Sequence, residues 1–142
     1  MREILFKAKR IDNGEWTEGY YECDPDLDIH YICGFNYYSS ENGLEREFFN
    51  DEVNKETICQ YTGLTDKNGN KIWENDICYN VIDKCVICYG IYDNNSYCEE
   101  HMGFYINWEK LKNKYRQDIG YWTSEIEVIG NIFDNPELLK NK

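Results

Sequence analysis

Four cysteines lie close enough together to suggest chemistry. Cys85-Val86-Ile87-Cys88 is a C-x-x-C pair, and with Cys78 and Cys98 it could supply four thiolates to zinc. The pair sits in an apolar, strand-like run without the glycine of a metal knuckle. Residues three apart on a strand face opposite sides, so both thiols would need a local turn to reach one ion. Buried thiols acting as small apolar fillers account for the pattern better. A thioredoxin-like role needs a helix after the motif, and "YGIYDNN" is not one. Asp24, Asp26 and Asp28 open like an EF-hand loop. The sixth and twelfth positions hold Ile29 and Phe35, where calcium needs Gly and Glu. His30 and His101 are the only histidines and neither belongs to a paired metal motif. A Cys–His nucleophilic pair could form only through the fold. No G-x-S-x-G or phosphate loop occurs. No catalytic, metal or cofactor residue is therefore assigned, and no cofactor is expected.

The elements that must position these residues read as strands. "EILFKAKRI" (3–11) and "WTEGYYEC" (16–23) flank Asn13-Gly14, a dipeptide whose tolerance of positive φ makes it a strong hairpin signal. "DPDLD" (24–28) is a polar loop, and "IHYICGFNYY" (29–38) is a strand by its β-branched and aromatic content. Residues 39–57 are polar and fit loop, short strands or a helical turn. "ICQYTGL" (58–64) leads into "TDKNGN", a second Asn-Gly turn. Strand-like runs follow at 71–83, 84–93, 97–108 and 121–133. A short helix is expected over 109–117 and another over 134–142, where Asn135 caps, Pro136 fills the first turn and Glu137 suits the positive end of the dipole. Many short strands with turns between them predict a mainly β chain, a small barrel or sandwich of antiparallel strands.

The totals exclude several classes. A chain of 142 residues suits one domain, and 13 Tyr with 4 Trp give it the apolar surface that disordered chains lack. The net charge is −12, spread as 15 acidic against 8 basic residues in 1–71 and 12 against 7 in 72–142. Such a surface repels phosphate backbones and anionic membranes, so direct nucleic-acid binding is not expected. The basic cluster Lys110, Lys112, Lys114 and Arg116, interleaved with Trp108 and Tyr115, reads as a solvated helix face. "MREILFKAKR" has no signal-peptide core, and no apolar run approaches the roughly 20 residues of a membrane span. A cytoplasmic protein with reduced thiols is the expectation.

Two further stretches carry a resemblance. "QYTGLTDKNGNKIWENDI" (60–77) and "VIGNIFDNPELL" (128–139) resemble, in order and spacing, the signature motifs of the YopX family of phage and prophage proteins. The start, "MREILFKAKR" with Asn13-Gly14, is also similar to that family. Segments 24–55 and 79–124 match weakly. Asn75 stands where the family usually has Gly, a position where Asn tolerates left-handed backbone. The resemblance implies a mostly β fold with a small, barrel-like (SH3-like) C-terminal half over 58–142, an N-terminal β part over 1–57 and assembly into homo-oligomers. It implies no activity.

Each motif residue has a folding reason. Asp66, Asn68 and Gly69 form turns, and Thr62-Gly63 gives a bend or bulge. Glu74, Asn75 and Asp76 form a tight turn into the next strand. Gln60, Tyr61, Leu64, Gly130, Asn131, Asn135 and Pro136 complete the motif as structural residues. The functional alternative is that Gln60, Asp66 and Asp76 converge on a ligand. The expected role is that of a non-enzymatic phage accessory protein working by protein–protein contact. The alternatives are an acidic DNA-mimic inhibitor of a host DNA-binding protein, signalled by salt-sensitive partner binding, and a metal-dependent module using the Cys85/Cys88 pair.

Overall fold

The computed structural model describes residues 4–93, 100–110 and 116–139. The chain divides into two compact units, residues 1–60 and 61–142.

In the first unit, β1 (Phe6–Lys9), β2 (Trp16–Asp24), β3 (Ile29–Ser40) and β4 (Gly43–Val53) form an antiparallel meander. The first residues of β5 (Cys59–Thr65) add on the other side, with Cys59 and Gln60 opposite Lys7 and Phe6. The strand order of this unit is β4-β3-β2-β1-β5. The Asn13-Gly14 turn forms as the sequence predicts: Gly14 N–H donates to Arg10 C=O, and Asn13 Oδ1 accepts from Glu15 N–H. The polar stretch 39–57 resolves into the long strand β4, joined to β3 by Glu41 and Asn42, and one turn of 3-10 helix at Lys55–Thr57. Asn54 caps that turn through a bond from Glu56 N–H. The core is small: Ala8, Ile32 and Val53, with Phe6, Phe49 and Ile58 packed against them. The end of β4 curls round to the end of β1 through an Arg10–Val53 bridge and bonds from Ile11 N–H to Glu52 C=O and from Asn54 N–H to Lys9 C=O.

In the second unit, the remainder of β5 pairs with β6 (Lys71–Trp73), and a four-stranded antiparallel sheet has the order β10-β7-β8-β9. Its strands are β7 (Asp76–Tyr79), β8 (Lys84–Asp93), β9 (Glu100–Trp108) and β10 (Glu127–Asn131). Ile72, Cys78, Cys85, Ile87, Ile106, Trp108, Ile119 and Ile126 form its core. The mainly β, antiparallel expectation is met, but the C-terminal half is not a closed barrel. The ladder ends at β10, where a bulge separates Val128 from Gly130. Beside this bulge a turn, not a strand, takes the next hydrogen bonds: Lys67 N–H donates to Ile126 C=O, and Val128 N–H donates to Asp66.

Two local expectations need correction. The strand expected over 121–133 begins only at Glu127, because Ile119–Trp122 is a helical turn, α1. That turn buries Ile119 and sets Trp122 edge-on against Trp108, at 5.2 Å between ring centroids, with both indole N–H groups donating to Arg116 C=O. Packing of two large rings outweighs the local β preference. The C-terminal helix is a single 3-10 turn, Pro136–Leu139. The helix expected over 109–117 falls largely on residues 111–115, outside the described residues, as does the start of the 97–108 run. Arg116, from the basic cluster, pairs with Asp118 at 2.9 Å and lies over the Tyr121 ring. No helix among the described residues is long and apolar enough to cross a membrane.

Candidate functional site

The motif residues hold the second unit together. Asp66 is buried, and its Oδ1 accepts from the N–H groups of Asn68 and Asn70, both at 2.9 Å, while Oδ2 accepts from Val128 N–H, also at 2.9 Å. Burial alone would raise its carboxyl, yet the backbone donors, Val128 first, hold it below the ordinary carboxylate value. Asp76, also buried, accepts from Trp73 N–H at 2.8 Å and closes the turn through Asn75, which adopts φ +72°. The Asn that replaces Gly there thus takes the left-handed backbone the turn requires. Thr62 Oγ1 donates to Ile72 C=O and accepts from Leu64 N–H, while Gly63, at φ +87°, makes the bulge between Tyr61 and Thr65. Tyr61 packs on Trp73, and Leu64 packs on the core. Gln60 is a half-buried strand residue opposite Phe6 in the first unit. The Asp76 carboxylate is taken up by its own turn, and that of Asp66 by its own turn and by Val128 N–H.

The second motif forms an equally tight lock. Asn131 Oδ1 accepts from the N–H groups of Phe133 and Asp134, and Asn135 Oδ1 accepts from Asn131 N–H. Asn135 was expected to cap the following helix. Instead its side chain turns back towards Gly130, where a Cβ would stand 2.5 Å from its Oδ1. Only glycine leaves room at position 130. Pro136 then opens the 3-10 turn, whose Leu138 C=O accepts from Lys84 Nζ. Asp83 was not singled out by its sequence, yet it is buried and accepts from Lys84 N–H and Lys110 N–H. Its offset of three from Asn80 was the available signal.

Cys78, Cys85 and Cys88 do not converge on one point. Cys78 and Cys85 face each other across β7 and β8 and are fully buried. Hydrogen bonding to Cys85, and then burial, hold the Cys78 thiol far above its ordinary value. Cys88 lies opposite Tyr105, three residues from Cys85 on the same strand, and burial raises its thiol as well. Cys98 lies outside the described residues. Among the described residues no three His, Cys, Asp or Glu side chains are placed to hold a metal. His101 stacks on Tyr92 at 5.4 Å.

The first unit keeps its side chains for its surfaces. Register puts Tyr20, Phe35, Tyr37, Leu44, Arg46 and Phe48 on one face of β2–β4. Phe35 and Phe48 meet edge-on at 5.6 Å but remain 42% and 59% exposed, with Arg46 stacked 4.2 Å over the Phe35 ring. On the opposite face, four polar side chains form a chain. Tyr21 Oη lies 2.6 Å from His30 Nδ1, His30 Nε2 lies 2.7 Å from Asp28 Oδ1, and Lys55 Nζ donates to Asp28 Oδ2 at 2.6 Å. Asp28 ends the β2–β3 turn at φ +53°, a backbone that non-glycine residues rarely adopt. Lys55, and then His30, hold its carboxyl below the ordinary value by hydrogen bonding. Asp24, the first of the calcium-like aspartates, instead accepts from Asp26 and Leu27 N–H within that turn.

Two open antiparallel sheets, the second secured by turns built on buried aspartates and half-buried asparagines, define a small mainly β protein. The chain belongs to the YopX family, described as YopX protein, which matches residues 6–140. Among solved structures it is similar to protein EF1440 from Enterococcus faecalis, with a TM-score of 0.60 and 26% identity over 99% of this chain and 100% of that one. No curated protein matches it.

Proposed function

We propose that this chain is a non-enzymatic phage or prophage accessory protein that works in the bacterial cytoplasm by protein–protein contact. Its first contact is with further copies of itself, through the outer face of β2–β4. The observation that carries this reading is the Phe35–Phe48 pair, left open to solvent beside Tyr20, Tyr37 and Leu44. A contiguous exposed aromatic patch is uncommon on a protein that stays alone, and aromatic side chains with arginine are the usual anchors of protein interfaces. Charge supports the same face. Continued across β1, it carries Lys7, Lys9 and Arg46 against Glu18, Glu22, Asp24 and Glu52, much closer to balance than the whole chain at −12. Two copies can therefore approach here with little of the repulsion felt elsewhere.

The test combines sedimentation with affinity capture from host lysate at low and high salt. An oligomer that persists at high salt and is lost in Phe48→Ser fits the proposal. A host DNA-binding protein held at low salt and released at high salt would favour the acidic mimic instead.

A further inference from the structure

The Tyr21–His30–Asp28–Lys55 chain lies on the face of the sheet opposite the proposed contact surface and has no part in that reading. Its order is that of a nucleophile, a base and an orienting acid. The Asp28 carboxylate can only accept, so His30 Nε2 carries the ring proton and donates it to Oδ1. His30 Nδ1 is then a lone pair, and the Tyr21 hydroxyl 2.6 Å away donates to it. The strands fix this geometry. Register sets His30 directly opposite Cys23, two residues from Tyr21, and the Tyr21 and His30 rings lie nearly parallel, at an interplanar angle of 6°. Lys55 holds the second carboxylate oxygen from the 3-10 turn, so Asp28 is fixed from both sides. Backbone at φ +53° on a residue with this bonding is the kind of local strain that clusters at working sites.

We infer that Tyr21 is a base-activated nucleophile that takes an acyl group from an activated acyl donor, with His30 as its base and Asp28 as the positioning residue. In the transfer, the acyl carbon forms a bond to Tyr21 Oη and its bond to the leaving group breaks. The phenol proton passes to His30 Nδ1 and from there to the departing group. An acyl donor fits better than a phosphoryl donor because the Asp28 carboxylate, whose charge reaches the Tyr21 phenol, would repel an anion. Burial, and then the neighbouring Cys23 thiol, keep the Tyr21 phenol protonated above its ordinary value, so it reacts only where a base takes the proton.

The neighbouring tyrosine is the internal control. In the single chain Tyr20 is 64% exposed and Tyr21 only 37%, so in a Phe35→Ser/Phe48→Ser background, which lacks the proposed self-contact and is used throughout this test, access alone predicts faster reaction at Tyr20. The full chain is treated with limiting N-acetylimidazole, and each acetylated residue is located by tandem mass spectrometry, which also separates Tyr21 from Cys23. Positioned bases contribute about 10²- to 10⁴-fold, and even a partial effect should make Tyr21 react at least about tenfold faster than Tyr20. His30→Gln should remove that advantage and leave the Tyr20 rate unchanged. Asp28→Asn should lower the Tyr21 rate, and Asp28→Glu should restore part of it. Equal rates at the two tyrosines overturn the inference. So does a Tyr21 rate untouched by His30→Gln in a variant whose circular dichroism is native.

Discussion

The two units use their polar residues in opposite ways. In residues 61–142 the carboxylates and amides of Asp66, Asp76, Asp83, Asn131 and Asn135 point inward and are bonded to backbone N–H groups. They act as fixed stitches around a core built on Trp108 and five isoleucines. In residues 1–60 the core is a handful of side chains, while Tyr21, His30, Asp28, Phe35 and Phe48 lie where solvent can reach them. The difference teaches that the recognisable motif and the working surface need not coincide. The residues that make this chain identifiable are bonded within its C-terminal unit, while the contact surface and the nucleophile proposed above lie in the less distinctive half.

The comparison can be broken most sharply at Asp66. Replacing it with Ala strands three backbone N–H groups, each costing about 1–3 kcal/mol when buried and unpaired. A loss of about 3 kcal/mol or more is expected, read as a lower urea midpoint in the near-ultraviolet signal of the Trp108–Trp122 pair. A loss below about 1 kcal/mol would mean the turn does not depend on the carboxylate. Gly130→Ala comes next. The new methyl meets Asn135 Oδ1, and overpacking of this kind costs about 1–3 kcal/mol. The double variant with Asn135→Ala should cost less than the sum of the two single changes, because the collision is gone.

A smaller effect is expected with pH. The folded state lowers the Asp66 pKa, so the unfolded chain binds more protons as the pH falls. The contribution of Asp66 is complete above the unfolded value of about 4 and is lost as the pH drops through the lower folded value. Urea midpoints measured downward from pH 5 should fall in the wild type. In Asp66→Asn the midpoint should start lower and depend less on pH over that range. The smallest effect on stability belongs to the outer face: at concentrations low enough to dissociate the proposed oligomer, Phe48→Ser and Tyr37→Ser should change it by no more than about 0.5 kcal/mol, as exposed substitutions usually do.

Much of the second unit was legible in the sequence because its turns use short-range chemistry. Asp66-Lys67-Asn68-Gly69 and Glu74-Asn75-Asp76 act within a few residues of themselves, so residue type and order were enough. The reach of Asp66 to Val128, 62 positions away, was not legible, and neither was the backward turn of Asn135. The first unit hid its surfaces for another reason. In "YICGFNYY" both faces of β3 carry aromatic or apolar side chains, so the alternation that would mark inside and outside is blurred. The Tyr21–His30 contact exists only through the β2–β3 register. The sequence offered for Asp28 only a calcium-like spacing that Ile29 and Phe35 break, because residue type alone does not reveal a partner elsewhere in the fold.

The most direct test of the central claim is sedimentation velocity on the wild type and on a Phe35→Ser/Phe48→Ser double variant, at matched concentration and at high salt. The account predicts a wild-type oligomer and a monomeric variant that keeps the near-ultraviolet signal of Trp108 and Trp122. A wild-type monomer, or a variant that assembles as the wild type does, would contradict it and move the contact surface away from the outer face of β2–β4.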